Sequence, residues 1–410
     1  MEKYKQEEIS KISDGWYKVS FENMADIVKD TYKPDQEKSL PYIGLEHINQ
    51  QTLSLNSIGH SSEVGSNKFN FRQGDILFGK LRPYFRKVYR PNFEGVCSTD
   101  IWVVRAKEGI DQGYLYYFMA SQEFVDLATS GSSGTKMPRA DWNHLKDIEW
   151  FIPSLGCQHT IAKILSDLDE KIELNRQMNK ALESIAQAIF KRWFVEFEFP
   201  GCVKAKFING LPEGWRISNI GKELITVLGG TPSRTESKYW DKGTIPWINS
   251  GKANEFRVIE PSEFITQEGL DSSATKLMPE KTTIIAITGA TLGQVSYLEI
   301  STCANQSIVG ILPSNRFPGE FLYFWIKNNV DSLISWQTGG AQQHINKNNV
   351  NDFELLCPSE QVMQEYLAVV KPIFEQIKLN CLESKALISV RDSLLPKLMS
   401  GKTQVRQERE

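Results

Sequence analysis

The densest run of reactive side chains in this chain is Lys80-Leu81-Arg82-Pro83-Tyr84-Phe85-Arg86-Lys87-Val88-Tyr89-Arg90, with five cations in eleven residues and aromatics between them. Clustered cations neutralise phosphates, and an arginine can also read guanine by a two-pronged contact. Lys80, Arg82, Tyr84, Arg86 and Lys87 are therefore candidate DNA contacts. A solvated strand face is the competing reading of the same run. A second loop, 129–139, is rich in small residues and carries Thr135, Lys136 and Arg139. Two loops of the C-terminal half have a similar polar character. One is Thr288-Gly289-Ala290-Thr291-Leu292-Gly293-Gln294, and the other ends in Gln342-Gln343-His344. Thr288, Thr291, Gln294, Gln306, Gln342, Gln343 and His344 complete the candidate set. Threonine and glutamine can meet base edges, and glycine permits close backbone approach. Amides and cations on adaptable loops suit base reading better than catalysis.

Catalytic patterns are missing from the sequence. Gly401-Lys402-Thr403 looks like the end of a phosphate loop, but the first glycine that loop needs is Pro396. Pro34-Asp35-Gln36-Glu37-Lys38 is too compressed to set two carboxylates and a lysine around a metal. The five histidines (47, 60, 144, 159, 344) have no paired spacing, so no metal site is supported. No glycine-rich cofactor fingerprint follows a strand. Neither N-P-P-[YF] nor D-P-P-[YF], the adenine-methylating motif, occurs. No catalytic residue and no cofactor is expected in this chain.

The elements that must position these loops follow from periodicity. In 161–194 the residues Leu165, Leu168, Ile172, Asn175, Leu182 and Ile189 recur at heptad-like steps. Such a narrow stripe marks a long helix that needs a partner helix. Adding 205 to each number lays 152–194 on 357–399 without a gap, with ten of 43 positions identical. Chance would give roughly two or three. The second seam is Ile373, Ile377, Asn380, Leu387 and Leu394. The chain is therefore read as a duplication, each half a mixed domain followed by a long helix, with the helices forming an antiparallel pair. A helix over about 159–196 would be on the order of 57 Å long at 1.5 Å per residue. Pro372 predicts a kink or late start in the second helix.

Short strand-like runs at 42–43, 75–78, 86–89 and 101–104 are echoed at 247–248, 283–286, 294–297 and 308–311. Turn residues between them point to mostly antiparallel α+β domains. The aromatic stretches 114–120 and 321–327 read as core helices. Expected boundaries are an N-terminal arm 1–14, a domain 15–153, a helix 154–199, a linker 200–213, a domain 214–358, a helix 359–400 and a charged tail 401–410. The chain has 410 residues, a net charge of −3, 40% hydrophobic and 24% charged residues, so any basic surface must be local. No run reaches membrane-spanning length and the N-terminus is no signal peptide. The six scattered cysteines then read as reduced thiols of a cytoplasmic protein.

With these parts laid out, the chain resembles the DNA-specificity subunit of type I restriction-modification enzymes. The resemblance spans nearly the whole length. It rests on the duplicated order of domain then helix, on Gly74-Asp75-Ile76-Leu77 and Thr288-Gly289-Ala290-Thr291-Leu292-Gly293-Gln294-Val295, and on Ile152-Pro153-Ser154 and Cys357-Pro358-Ser359. It implies two target-recognition domains that each read half of a split double-stranded DNA sequence. It also implies two methyltransferase subunits docked on the helices and restriction subunits further out. S-adenosylmethionine, ATP and Mg2+ would belong to those partners. The first domain carries Lys80–Lys87 in place of the T-G-x-T-x-G pattern, which questions a shared reading mode. The competing classes are a protein-interaction scaffold and a solitary nuclease or methyltransferase.

Overall fold

The computed structural model describes residues 15–35, 37–134, 136–335 and 344–405. The expected arm 1–14, the end of the tail 406–410 and the candidates Thr135, Gln342 and Gln343 lie outside the described residues. Two compact units divide the chain: Met1–Ile172 with Ala386–Glu410, and Glu173–Lys385.

In the first unit, Trp16–Ser20 pairs antiparallel with Glu149–Pro153, so the opening strand is tied to the closing one. A four-stranded sheet runs in the order Ala25–Val28, Ile101–Ala106, Ile76–Gly79, Val88–Tyr89. Ile76, Leu77, Phe78 and Ile101 through Val104 are buried on both faces, as continuous apolar strand runs require. A second sheet of five strands includes Pro41–Ile43, parallel to Gly95–Cys97. The aromatic helix Gln112–Ala120 is core, with Tyr114 through Ala120 buried, and the Asp111 carboxylate caps it by accepting from the Tyr114 N–H at 2.7 Å.

The second unit repeats this order. Arg216–Asn219 pairs with Glu354–Cys357, and the main sheet runs Thr226–Leu228, Ile308–Ile311, Thr283–Ala286, Val295–Tyr297. Ile245–Ile248 lies parallel to Cys303–Ala304, matching the parallel pair of the first unit. The aromatic helix is Gly319–Ile334. Residues 200–213, expected as a linker, fold back: Phe207–Ile208 pairs with Leu211–Pro212, and the neighbouring Phe199 stacks on Trp215 at 5.1 Å.

The long helices are Leu155–Phe194 and Glu360–Met399, 40 residues each. They pair antiparallel within each unit. In the second, Asn175 Nδ2 donates to Ser384 Oγ at 3.3 Å and Asn380 Nδ2 donates to Asn179 Oδ1 at 2.9 Å, while Phe190 meets Tyr366 further along. The repeat offset turns the first of these asparagine contacts into the second, so the helix pair carries its own internal two-fold. In the first unit Asp169 binds Arg391, and Leu165 shares a core with Leu395 and Leu398.

Three seam positions need correction. Phe190, Phe374 and Leu395 are buried where Ile189, Ile373 and Leu394 were expected to be, and the latter three are only half-buried. The helix ends pack into the mixed domains, and this wider contact shifts the stripe by one residue. Leu165, Asn175, Ile377 and Asn380 are buried; Leu168, Ile172, Leu182 and Leu387 are half-buried. Nor does the second helix start late. It runs from Glu360 through Pro372, because Tyr366, Val370, Phe374 and Ile377 bury one face across the proline.

Candidate nucleic-acid interface

In the first unit the run 80–87 joins two paired strands, Ile76–Gly79 and Val88–Tyr89. Its tip is a 3-10 turn, Pro83–Phe85, bracketed by Arg82 at φ +52° and Arg86 at φ +49°. The expected strand over 86–89 is thus shortened, since the left-handed Arg86 cannot extend it. In the second unit the tip is Gly289–Thr291, and Gly289 and Gly293 have φ +67° and +82°. Matching the strand registers Phe78 with Val88 and Ile285 with Val295 places Arg82 at the position of Gly289 and Arg86 at that of Gly293. The two tips turn left-handed at the same two positions, with the 3-10 turn offset by one residue between them. Arginines occupy left-handed positions that cost roughly 1–2 kcal/mol each for a residue with a Cβ.

Burial decides which side chains could face a ligand. Arg86 does not: it is buried, its Nε donates to the Ala120 carbonyl at 2.6 Å, and burial lowers its pKa. It ties the tip to the end of the aromatic helix and is withdrawn as a DNA contact. Lys87 is half-buried and donates to the Leu45 carbonyl; burial lowers its pKa too. It also serves the fold. Lys80 and Arg82 are half-buried, whereas Tyr84, Lys136 and Arg139 are exposed. Arg82 Nη2 lies 3.5 Å from the Lys136 carbonyl.

Two loops converge on each tip. In the first unit, Ala140 N–H donates to Lys80 O at 2.9 Å, Arg82 N–H to Pro138 O at 2.7 Å, and Lys80 N–H to Asp100 O at 3.0 Å. Leu81 bridges Arg139. In the second, Ile345 N–H donates to Ile287 O at 3.0 Å and Ile287 N–H to Ser307 O at 2.9 Å, while Thr288 bridges His344. The described sequence candidates on these loops, among them Lys80, Arg82, Arg139, Thr288 and His344, are therefore brought together at one end of each sheet. Arg139 and His344 are structural counterparts, as are Asp100 and Ser307. Thr291 Oγ1 donates to the Thr288 carbonyl at 3.2 Å, and exposed Gln306 accepts from Thr231 Oγ1 at 2.6 Å. Gln294 points inward: its Oε1 is buried with no hydrogen-bond partner among the described residues.

Sequence reasoning missed three positioning residues. Asp100 accepts from Arg139 Nε at 3.0 Å and Nη2 at 3.4 Å, and this pair raises the arginine pKa. Gln51 holds the tip from below, donating from its backbone to Phe85 O at 3.2 Å and from its side chain to Tyr84 O at 3.0 Å. Thr231 orients Gln306. The repeat offset of 207 between the sheets lays Asp100 on Ser307 and could have flagged it. Gln51 has no signal beyond its polar loop.

The family described as Type I restriction modification DNA specificity domain matches residues 1–184 and again 212–388. The chain belongs to this family. The double match falls on the two copies seen in the fold. Among relatives, the type I restriction enzyme MjaIX specificity subunit of Methanocaldococcus jannaschii is 26% identical, covering 73% of this chain and 71% of its own length. The HindI specificity subunit of Haemophilus influenzae is 25% identical over 82% and 88%. The solved S subunit of a Type-I restriction-modification system from M. genitalium, 16% identical, covers 95% of this chain and 97% of its own with a TM-score of 0.59, a likeness of fold. As a DNA specificity subunit of the type I class, the chain supplies recognition and not catalysis, and membership implies DNA and methyltransferase subunits as its partners. Among the described residues no helix is long and apolar enough to cross a membrane.

Proposed function

We propose that each unit reads one half of a split DNA target and that the long helices dock two methyltransferase subunits. The observation that carries this reading is the repetition of the three-loop site, one copy per unit, on matched strand registers with different side chains. Two copies of a site with different residues suit two half-sites of different sequence. The docking reading is supported by exposed apolar residues on the helices. Leu174 and Ile185 stand three helical turns apart on one face, each about half exposed, and the repeat offset gives Leu379 and Val390, also about half exposed. One apolar set per copy suits two copies of one partner. Restriction subunits join beyond the methyltransferases, and S-adenosylmethionine, ATP and Mg2+ belong to those partners.

The test combines assembly and DNA binding. Leu174→Asp with Ile185→Asp should remove one methyltransferase copy from the purified complex, and Leu379→Asp with Val390→Asp the other, as read by native mass. Binding of the intact complex to its target should weaken steeply with salt. Unchanged stoichiometry in both variants would refute the docking reading, and salt-insensitive or sequence-blind binding would refute the recognition reading.

A further inference from the structure

We propose that Arg139 reads a guanine in the first half-site and that Asp100 holds it in the reading pose. This rests on the reading of each unit as a half-site reader. A guanidinium has two donor faces: a side face made of Nε and one Nη, and an end face made of both Nη atoms. Asp100 occupies the side face, with Nε to Oδ1 at 3.0 Å and Nη2 to Oδ2 at 3.4 Å. The end face is directed away from the carboxylate. Guanine offers two acceptors, O6 and N7, on its major-groove edge, and an arginine end face matches their spacing.

Three observations favour a reader over an ordinary surface ion pair. The Arg139 side chain remains 45% exposed while held by both prongs, so the pairing orients it without covering it. Its backbone is held by two bonds to Ser133, N–H to O at 2.9 Å and carbonyl from N–H at 3.0 Å, and it bridges Leu81 of the hairpin tip. Asp100 is anchored at the start of a core strand, Ile101–Ala106, with its carbonyl accepting from Lys80 N–H at 3.0 Å. Side chain and buttress therefore come from different loops, both tied to the hairpin tip. At the same place the second unit has His344 and Ser307, neither a guanidinium nor a carboxylate. A guanine contact buttressed in this way is particular to the first half-site.

The experiment uses the complex with its methyltransferase subunits and a set of duplexes in which each base pair of the mapped target is replaced in turn. Wild type should lose about tenfold to a hundredfold in affinity when one G·C pair of the first half-site is replaced. Arg139→Ala should abolish discrimination at that pair alone and leave the other half-site as selective as before, which also shows that the variant is folded. Arg139→Lys, which keeps the charge but lacks the planar fork, should restore affinity more than discrimination. Asp100→Asn should weaken discrimination at the same pair while keeping the positive charge. If Arg139→Ala lowers affinity for all sequences alike and reduces the salt slope by about one, the residue contacts phosphate and the proposal is wrong. If it changes nothing, the pair is a surface ion pair only and the proposal is also wrong. A wild-type complex that shows no split-site discrimination would instead overturn the half-site reading beneath it.

Discussion

The two hairpin tips turn left-handed at matched positions with opposite chemistry. In the second unit, glycines fill both left-handed positions and leave Thr288, Thr291 and the backbone at the tip. In the first, Arg82 and Arg86 are also left-handed, at φ +52° and +49°, at a conformational cost. Arg86 offsets that cost by donating to the Ala120 carbonyl. The same contrast recurs in the helices. Arg391 is 1% exposed and binds Asp169 at 2.7 Å, which also accepts from the Tyr117 hydroxyl at 2.7 Å. The repeat offset puts Ala186 at the position of Arg391 and Phe374 at that of Asp169, both in an apolar core. The backbone plan was kept through duplication while the side chains at matched positions moved between charged and apolar solutions. That is what two reading heads with different targets require of a common scaffold.

The largest expected effect separates these helix positions. Arg391→Ala leaves the half-buried Asp169 with the Tyr117 hydroxyl as its remaining partner and should cost about 3 kcal/mol in urea unfolding, whereas Arg391→Met with Asp169→Leu, an apolar pair like that of the second unit, should recover most of it. A single variant within about 1 kcal/mol of wild type would break the comparison. An intermediate effect is expected at the tips. Gly289→Ala should destabilise by about 1 kcal/mol, because the angle is left-handed although a Cβ there meets no atom within 4 Å. Arg82→Gly should stabilise by up to about 1 kcal/mol by the same argument, while weakening DNA binding. Opposite signs in these two melting shifts support a shared backbone, and equal signs would contradict it. The smallest effect is a titration. Arg216 first and Ser218 second donate to Glu223, holding its carboxyl down at about 2 against an ordinary value of 4.5. The stabilisation is therefore complete above about pH 4.5 and is lost as pH falls toward 2. Glu223→Gln should cost under about 1 kcal/mol at pH 7 and nothing at pH 2. The matching residue in the first unit is Met24, which does not titrate.

The duplication was legible because helices keep a strict spacing, so Asn175 and Asn380 stayed in register over the offset of 205. The positions of most of these strands could be read from paired runs punctuated by turns. What stayed hidden was tertiary. Nothing local shows that Arg86 would be buried or that Asp100 would meet Arg139, since both depend on loops distant in sequence. Ile189, Ile373 and Leu394 were expected at the seam because a heptad assumes one partner helix, whereas the helix ends face a domain as well. The T-G-x-T-x-G pattern of the second tip has no counterpart in the first sequence, although Arg82 and Arg86 take left-handed φ at the positions of its two glycines.

The most direct measurement is methylome sequencing of cells in which one recognition region at a time is exchanged for that of another specificity chain, together with its methyltransferase partner. Exchange of 15–153 should change one half of the methylated split motif and leave the other half and the spacer intact, and exchange of 214–358 should do the converse. An exchange that altered both halves, or neither, would contradict the account.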